Sequence, residues 1–185
     1  MSMTPDSITP KPNQPIRSDD LPWEDYTRDS TRYGDRTRPL GAHGGAAQMG
    51  FNLVEIPSGK QTTPFHWHQR EEEHFYVLSG RLVMRIGDDR HVMGPGDYVC
   101  FPAGTGIGHA MLNPFDEPCR VIVAGTPQAH PLEVAVFPDS GKAHVRALKA
   151  LIRWPVESLG YNDGEDTETA VGPQDLPADL QNGEG

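Results

Sequence analysis

Short apolar or alternating runs, each ended by Gly, Pro, Asn or Asp, divide the middle of this chain. Runs spaced roughly 8–12 residues apart, with turn residues between them, are typical of an all-β sandwich or barrel. The chain contains 20 Gly and 18 Pro, which fits many turns and many short strands. The prolines stand at the ends of the runs, where they remove no hydrogen bond from a central ladder. The runs are residues 49–56, 73–79, 82–86, 98–101, 109–112, 121–124 and 132–137.

Few helix signals interrupt this pattern. Residues 143–152 are one helix candidate, although their sequence also suits an extended segment. We therefore predict a single antiparallel β-barrel or jelly roll over residues 45–140. An irregular N-terminal arm would precede it over residues 1–44, with about the first 20 residues flexible. A C-terminal extension would follow over residues 141–185.

The net charge of −10 is concentrated in that extension. Residues 154–185 contain eight acidic residues and no Lys or Arg, so they account for −8 of the total. From about Gly172 the sequence is polar, acidic and interrupted by Gly and Pro, which predicts a disordered acidic tail. The acidic balance argues against non-specific binding to nucleic acid or to anionic membranes.

The location of the protein is predicted from what the sequence does not contain. No apolar run approaches the roughly 18 residues of a transmembrane helix, and residues 1–20 contain no apolar core of a secretory signal. The only cysteines are Cys100 and Cys119, which makes a disulfide scaffold unexpected. We expect a cytoplasmic protein in a reducing setting.

A set of candidate metal ligands follows the strand pattern. His66 and His68 are two residues apart, so on a strand they point to the same face, about 6.6 Å apart along the chain. Two neutral imidazoles alone make a weak site, and further ligands must come from neighbouring strands. Glu73 begins the next run and His109 begins a later one. Three imidazoles and one carboxylate around a divalent ion leave a site of net charge +1 with room for exogenous ligands.

Two segments that contain these residues resemble the two motifs of the cupin superfamily. Residues 59–80 are similar to the first motif, with one extra residue after the opening glycine, and residues 96–113 are similar to the second, with two extra residues in the 105–108 loop. The first motif is carried by Gly59, His66, His68, Glu73 and Gly80, and the second by Gly96, Asp97, Pro102, Gly104, His109 and Asn113.

The resemblance covers roughly residues 45–137, and it implies a small antiparallel β-barrel of the single-domain bacterial type with a metal inside. It implies one divalent transition metal, either Fe, Mn, Zn or Ni, held by His66, His68, Glu73 and His109. It also implies a homodimer. The segment around Leu21 suggests that the two subunits exchange their N-terminal arms.

The register of three adjacent acids decides which carboxylate faces the metal. Alternation puts Glu71 and Glu73 on one face and Glu72 on the other. The six-residue spacing to Gly80 selects Glu73, with Glu72 as the alternative. Trp67 alternates away from the metal and is expected on the outer face.

The remaining histidines and cysteines have plainer interpretations. Cys100 is expected to be a small buried hydrophobe, or alternatively a redox or substrate contact near the metal. Cys119 is expected to be inert. Five other histidines, which lack the ligand spacing, are expected to be solvated or hydrogen-bonded: His43, His74, His91, His130 and His144.

These features favour a metal-dependent enzyme that acts on a small polar or anionic metabolite. For this ligand set the resemblance implies dioxygenase, decarboxylase or sugar-phosphate isomerase chemistry. Isomerisation needs a positioned base. Apart from Glu73, no inward-facing carboxylate is evident from the sequence. The alternative is a non-catalytic metal-bearing module that binds or senses a small ligand. A third hypothesis is an interaction protein whose acidic tail contacts a basic partner. The expected ligand is anionic or oxygen-rich.

Overall fold

The computed structural model describes residues 9–26, 30–126 and 131–155. The chain divides into two compact units, Met1–Pro155 and Val156–Gly185. Every described residue belongs to the first unit, so the predicted acidic tail lies outside the described residues. Within the described ranges, no helix is both long enough and apolar enough to cross a membrane.

The described chain is mostly β-strand with little helix, which confirms the all-β class. One short helix, α1 (Leu40–Gly44), and three 3-10 turns (Ser18–Asp20, Pro138–Ser140 and Arg146–Leu148) accompany the strands. The strands are β1 (Glu24–Asp25), β2 (Arg36–Arg38), β3 (Gly50–Ile56), β4 (Trp67–His68), β5 (Glu73–Ser79), β6 (Leu82–Ile86), β7 (Asp89–Met93), β8 (Tyr98–Phe101), β9 (His109–Leu112), β10 (Cys119–Gly125), β11 (Val134–Phe137), β12 (Lys142–Val145) and β13 (Ala150–Arg153).

Antiparallel pairings join these strands into three sheets. The strand orders are β1-β2-β3-β10-β5-β8, β13-β12-β11-β4 and β7-β6-β9. In the described part of the chain the ladders therefore remain separate and do not close into one continuous barrel. A bridge between His66 and His109 connects the segment before β4 with β9. The predicted ligands thus lie where the sheets approach one another.

The hydrophobic core consists of inward side chains from the six-stranded and the three-stranded sheets. These are the alternate residues of strands with one solvated face, as expected for antiparallel sheets. Several of them, such as Val77 and Met84, are completely shielded from solvent. The buried cluster is Val54, Ile56, Phe75, Val77, Leu82, Met84, Met93, Phe101, Met111, Cys119 and Val121.

The helix alternative for residues 143–152 is wrong. Lys142–Val145 and Ala150–Arg153 are antiparallel strands, paired from Lys142 with Arg153 to Val145 with Ala150. The 3-10 turn between them ends at Leu148 and is followed by Lys149, whose φ of 49° lies in the left-handed region and reverses the chain. Cross-strand pairing therefore overrides the weak helical pattern. A short helix forms instead at Leu40–Gly44, a glycine-containing segment for which the sequence predicts no helix.

Part of the N-terminal arm docks on its own chain. Glu24–Asp25 pairs with Arg36–Arg38. The Trp23 ring lies against guanidinium groups, with its centroid 4.1 Å from Arg38 and 5.4 Å from Arg36. Stacked cations of this kind stabilise an aromatic ring at a surface.

Asn113 fixes the turn after β9 and provides a stability prediction. Its Nδ2 donates to the carbonyls of Ile56 and Glu117, at 2.8 Å each, and its Oδ1 accepts from the Phe115 amide at 3.0 Å. Asn113 is buried, so Asn113→Ala leaves these partners without a replacement. We expect a loss of about 2 kcal/mol in the free energy of unfolding, measured by urea denaturation. Asp116→Ala, an exposed change in the same turn, should stay within about 0.5 kcal/mol of wild type. Equal stability of the two variants would contradict this role of Asn113.

Candidate metal centre

The four predicted ligands come from different elements that meet at one place. His66 precedes β4, His68 ends it, Glu73 begins β5 and His109 begins β9. The backbones of His66 and His109 exchange two hydrogen bonds, of 3.1 and 2.8 Å, which fixes these two residues side by side. The site is therefore built by long-range pairing and not by one local motif.

Three of the four side chains form a close group. The ligand atoms of His66, His68 and Glu73 all lie within 4.8 Å of one another. The two Nε2 atoms of His66 and His68 are 3.1 Å apart, and Glu73 Oε2 is 3.5 Å from His68 Nε2. His109 is the fourth member and approaches through Glu73, with its Nε2 2.8 Å from Glu73 Oε2.

Contacts at Nδ1 of His66 and of His68 determine which ring nitrogen remains free to bind a metal. His66 Nδ1 is 2.8 Å from the carbonyl oxygen of Pro64, which can only accept, so Nδ1 carries the proton. His68 Nδ1 faces carboxylate oxygens in the same way. In the neutral rings both Nε2 lone pairs then point toward the same region beside the Glu73 carboxylate. A divalent cation can bind both Nε2 atoms and the Glu73 carboxylate at once, so these residues fit the metal that the fold implies.

Burial and neighbouring charges favour the ligand forms of two residues. Burial and the proximity of His109 lower the pKa of His66 to about 4, so the ring is neutral at pH 7. Burial opposes ionisation of Glu73, but the His109 hydrogen bond and the three nearby imidazoles outweigh it and lower the Glu73 pKa to about 2. A neutral imidazole and an ionised carboxylate are the states that bind a cation.

Aromatic rings fix the orientation of the imidazoles. His109 stacks on Phe101 with ring centroids 3.9 Å apart and an angle of 14° between the planes. His66 stacks on Phe137 at 5.7 Å, and Phe75 meets the edge of His109 at 5.5 Å. The rings are thus held in place before any ligand binds, which reduces the entropy that binding costs.

Two buried carboxylates flank the outer nitrogen of His68, which corrects the sequence-based view that Glu73 is the one inward carboxylate. Glu133 Oε1 is 3.2 Å from His68 Nδ1 and Glu71 Oε2 is 3.4 Å from it. Glu71 forms an ion pair with Arg146. Glu133, only 1% exposed, accepts hydrogen bonds from the amides of Gln69 and Arg70, both at 3.0 Å.

Sequence reasoning missed Glu133 although a signal was available. Glu133, Ala135 and Phe137 alternate along one run, and Ala135 is buried while Phe137 stacks on His66. The same period-two argument that places His66 with His68 would have placed Glu133 inward. The register of the three adjacent acids is as alternation predicted, because Glu71 and Glu73 both approach His68 and Glu72 points outward to His74.

A narrow cleft borders the site. His68, Glu71 and His109 contribute its polar wall. Among the described residues that line it there is no Lys or Arg. Trp67 also borders the cleft. The remaining lining residues are Phe101, Pro102, Thr105 and Ile107.

Cys100 does not lie at this site and is not a buried hydrophobe. It is half-buried on β8, directly opposite His74 of β5. Its thiol belongs to a second group with Glu72 and His74, whose ligand atoms also lie within 4.8 Å of one another. The described residues therefore contain another collection of metal-ligand side chains in addition to the one beside the cleft.

Comparison with known proteins identifies similar chains. A family model described as a cupin domain matches residues 52–125. The quercetin 2,3-dioxygenase of Bacillus subtilis is 30% identical over 80 residues, which are 43% of this chain and only 24% of that protein, so the match spans about a quarter of the curated relative.

Solved structures extend the similarity. A sugar phosphate isomerase from a cupin superfamily, from Silicibacter pomeroyi, is 32% identical with a TM-score of 0.60. A candidate sugar phosphate isomerase from Acidithiobacillus ferrooxidans is 29% identical with a TM-score of 0.64. Each match covers 69% of this chain and 81% of the other chain.

Proposed function

The chain belongs to the cupin superfamily, and from that premise we propose that it is a metal-dependent enzyme acting on a small, oxygen-rich organic substrate. We infer that one divalent transition metal, Fe, Mn, Zn or Ni, is held by His66, His68, Glu73 and His109. The observation that carries the proposal is the convergence of the His66 and His68 Nε2 atoms on the Glu73 carboxylate, with His109 in contact with Glu73. Such an ion supplies Lewis-acid polarisation of a substrate oxygen and, as iron, redox chemistry with dioxygen.

Isomerisation of a sugar phosphate is the first candidate reaction. The two similar solved structures include a sugar phosphate isomerase, and Glu71 provides the positioned base that such chemistry needs. Glu71 borders the cleft, and Arg146 holds its carboxylate in place through their ion pair. A proton on the hydroxyl-bearing carbon beside a substrate carbonyl would pass to a Glu71 oxygen and return to the former carbonyl carbon, while the hydroxyl proton moves to the carbonyl oxygen.

Oxygen-dependent cleavage of an aromatic or diol substrate is the second candidate. The described lining of the cleft is rich in apolar groups, among them Trp67, Phe101 and Ile107, and lacks the cationic side chains that commonly bind phosphate. The Bacillus subtilis relative is a quercetin dioxygenase. In this reaction Glu71 would not transfer the essential proton.

The substitution Glu71→Gln separates these reactions. It is nearly isosteric and retains an oxygen that can accept from Arg146, but it removes the base. We expect aldose–ketose interconversion of sugar phosphates, followed by NMR on protein reloaded with each of the four metals, to fall at least about 100-fold in Glu71→Gln at unchanged metal content.

Oxygen uptake by the Fe(II) protein with polyphenols, diols or keto acids should change much less in the same variant if the second candidate is correct. The exposed change Glu117→Gln is the control, because Glu117 lies in a remote turn. Absence of turnover with every metal and both substrate panels would contradict an enzymatic function and favour a ligand-binding module. A homodimer and a cytoplasmic location remain predictions.

A further inference from the structure

A second set of metal-ligand side chains lies on the outward face of strands β5 and β8. His74 lies between Glu73 and Phe75, both of which point inward, so its side chain projects to the opposite face of the sheet. Cys100 pairs with His74 across the two strands, and Glu72 precedes His74 by two residues. The sheet therefore places a carboxylate, an imidazole and a thiol side by side, on the other side of β5 from the proposed metal centre.

The distances bring these groups into one coordination sphere. One ligand atom each from Glu72, His74 and Cys100 lies within 4.8 Å of the other two. His74 Nε2 is 2.9 Å from Glu72 Oε1, and His74 Nδ1 is 2.7 Å from the Tyr98 hydroxyl. The Tyr98 ring also stacks against His74, with 17° between the planes, and steadies the imidazole. The Tyr98 hydroxyl oxygen can accept a hydrogen bond from His74 Nδ1–H, which leaves the Nε2 lone pair free to bind a cation.

The donor types select the class of cation. One sulfur, one nitrogen and one oxygen suit Zn²⁺ and similar borderline ions, whereas Mg²⁺ and Ca²⁺ prefer oxygen donors alone. The side chains of His74 and Glu72 are 32% and 48% exposed, so a hydrated ion reaches them without opening the fold. Three protein ligands leave a fourth tetrahedral position for water.

We propose that Glu72, His74 and Cys100 form a second cation site, specific for thiophilic divalent ions such as Zn²⁺ and separate from the proposed metal centre. On binding, the Cys100 thiol loses its proton to solvent, and the thiolate, the His74 Nε2 and a Glu72 oxygen coordinate the ion. Strand β5 then carries ligands of two sites on its two faces. The sulfur donor distinguishes this site, because the proposed centre contains none.

Cobalt(II) titration tests the proposal through that sulfur, in the presence of a phosphine reductant. A cobalt–thiolate bond produces a charge-transfer absorption band in the near ultraviolet, and a site built from imidazoles and a carboxylate does not. We expect one equivalent of Co²⁺ per chain to produce the band. Adding Zn²⁺ should abolish the band by displacing the cobalt. The band should persist in His66→Ala, disappear in Cys100→Ser, and require at least about tenfold more Co²⁺ in His74→Gln.

Cys119→Ala is the matched control for the thiol. Burial raises the pKa of Cys119 to about 11, and its side chain is fully shielded in the core, so its removal should leave the band intact. Circular dichroism checks that each variant is folded. The proposal is overturned if excess Co²⁺ produces no band in the wild type, if the band survives in Cys100→Ser, or if it is lost in folded His66→Ala. These results are independent of catalysis at the cleft.

Discussion

Replacing His66 with alanine is expected to abolish stoichiometric binding of a divalent metal at the proposed centre. The variant loses one of the two Nε2 atoms that face each other at 3.1 Å, and it leaves the ionised Glu73 in a largely buried position with less compensation. Loss of one ligand leaves an incomplete coordination sphere. We expect the dissociation constant to rise by at least about 100-fold, beyond the 10–100-fold range seen when only an outer partner of a ligand is removed.

His109→Ala should raise the dissociation constant for the metal by a similar factor, but for a different reason. His109 Nε2 contacts Glu73, and its ring stacks on Phe101, so its removal frees the carboxylate and opens a space beside Phe101. We expect the variant to remain folded because the backbone bridge between residues 66 and 109 does not depend on the imidazole.

The measurement is metal content by mass spectrometry after reloading, together with calorimetric titration. Both should be done in a Cys100→Ser background, which removes the proposed second site and leaves one centre to count. His91→Ala is the matched control, because His91 is exposed on β7 and should not alter metal content. Unchanged metal content in both His66→Ala and His109→Ala would refute the proposed ligand set.

The strands that build the core could be predicted because their signals are local. The runs 73–79, 82–86, 98–101 and 109–112 coincide with β5, β6, β8 and β9, since each is apolar or alternating and ends at turn residues. β7 was missed for a physical reason. Four of its five residues are exposed and only Met93 is buried, so this strand has no alternating pattern to detect. Its hydrogen bonds to β6 hold it in place.

The proposed ligands could be selected from their spacing, but their environment could not. His68 and Glu133 are 65 residues apart, and Arg146 and Glu71 are 75 apart. Such contacts depend on which strands become neighbours, namely β4 with β11 and β11 with β12. A period of two shows which face a side chain occupies but not what it meets there. The contacts of Glu71 and Glu133 with His68 therefore appeared only with the fold.

Glu133→Ala is expected to damage both the fold and the proposed centre. The Glu133 carboxylate accepts hydrogen bonds from the amides of Gln69 and Arg70 and faces His68 Nδ1. Without it, the Arg70 N–H loses its acceptor. The Gln69 N–H keeps the Val134 carbonyl at 3.0 Å, and His68 Nδ1 keeps only the longer contact with Glu71, at 3.4 Å. An unsatisfied donor costs about 1–3 kcal/mol, so we expect a loss of about 2 kcal/mol in the free energy of unfolding.

The same substitution should weaken metal binding by about 10–100-fold, because His68 loses the nearer of the two carboxylates that hold its Nε2 toward Glu73. Glu133→Gln offers a finer test. Its amide keeps one acceptor oxygen but turns an NH₂ group toward a donor, so stability should recover in part while the affinity for metal stays low. Urea denaturation of the metal-free protein and calorimetric titration in the Cys100→Ser background measure the two effects separately. The exposed change Glu117→Ala should alter the free energy of unfolding by less than about 0.5 kcal/mol. A Glu133→Ala variant that matches this control in stability and retains wild-type metal affinity would show that Glu133 neither supports the 69–70 loop nor positions His68.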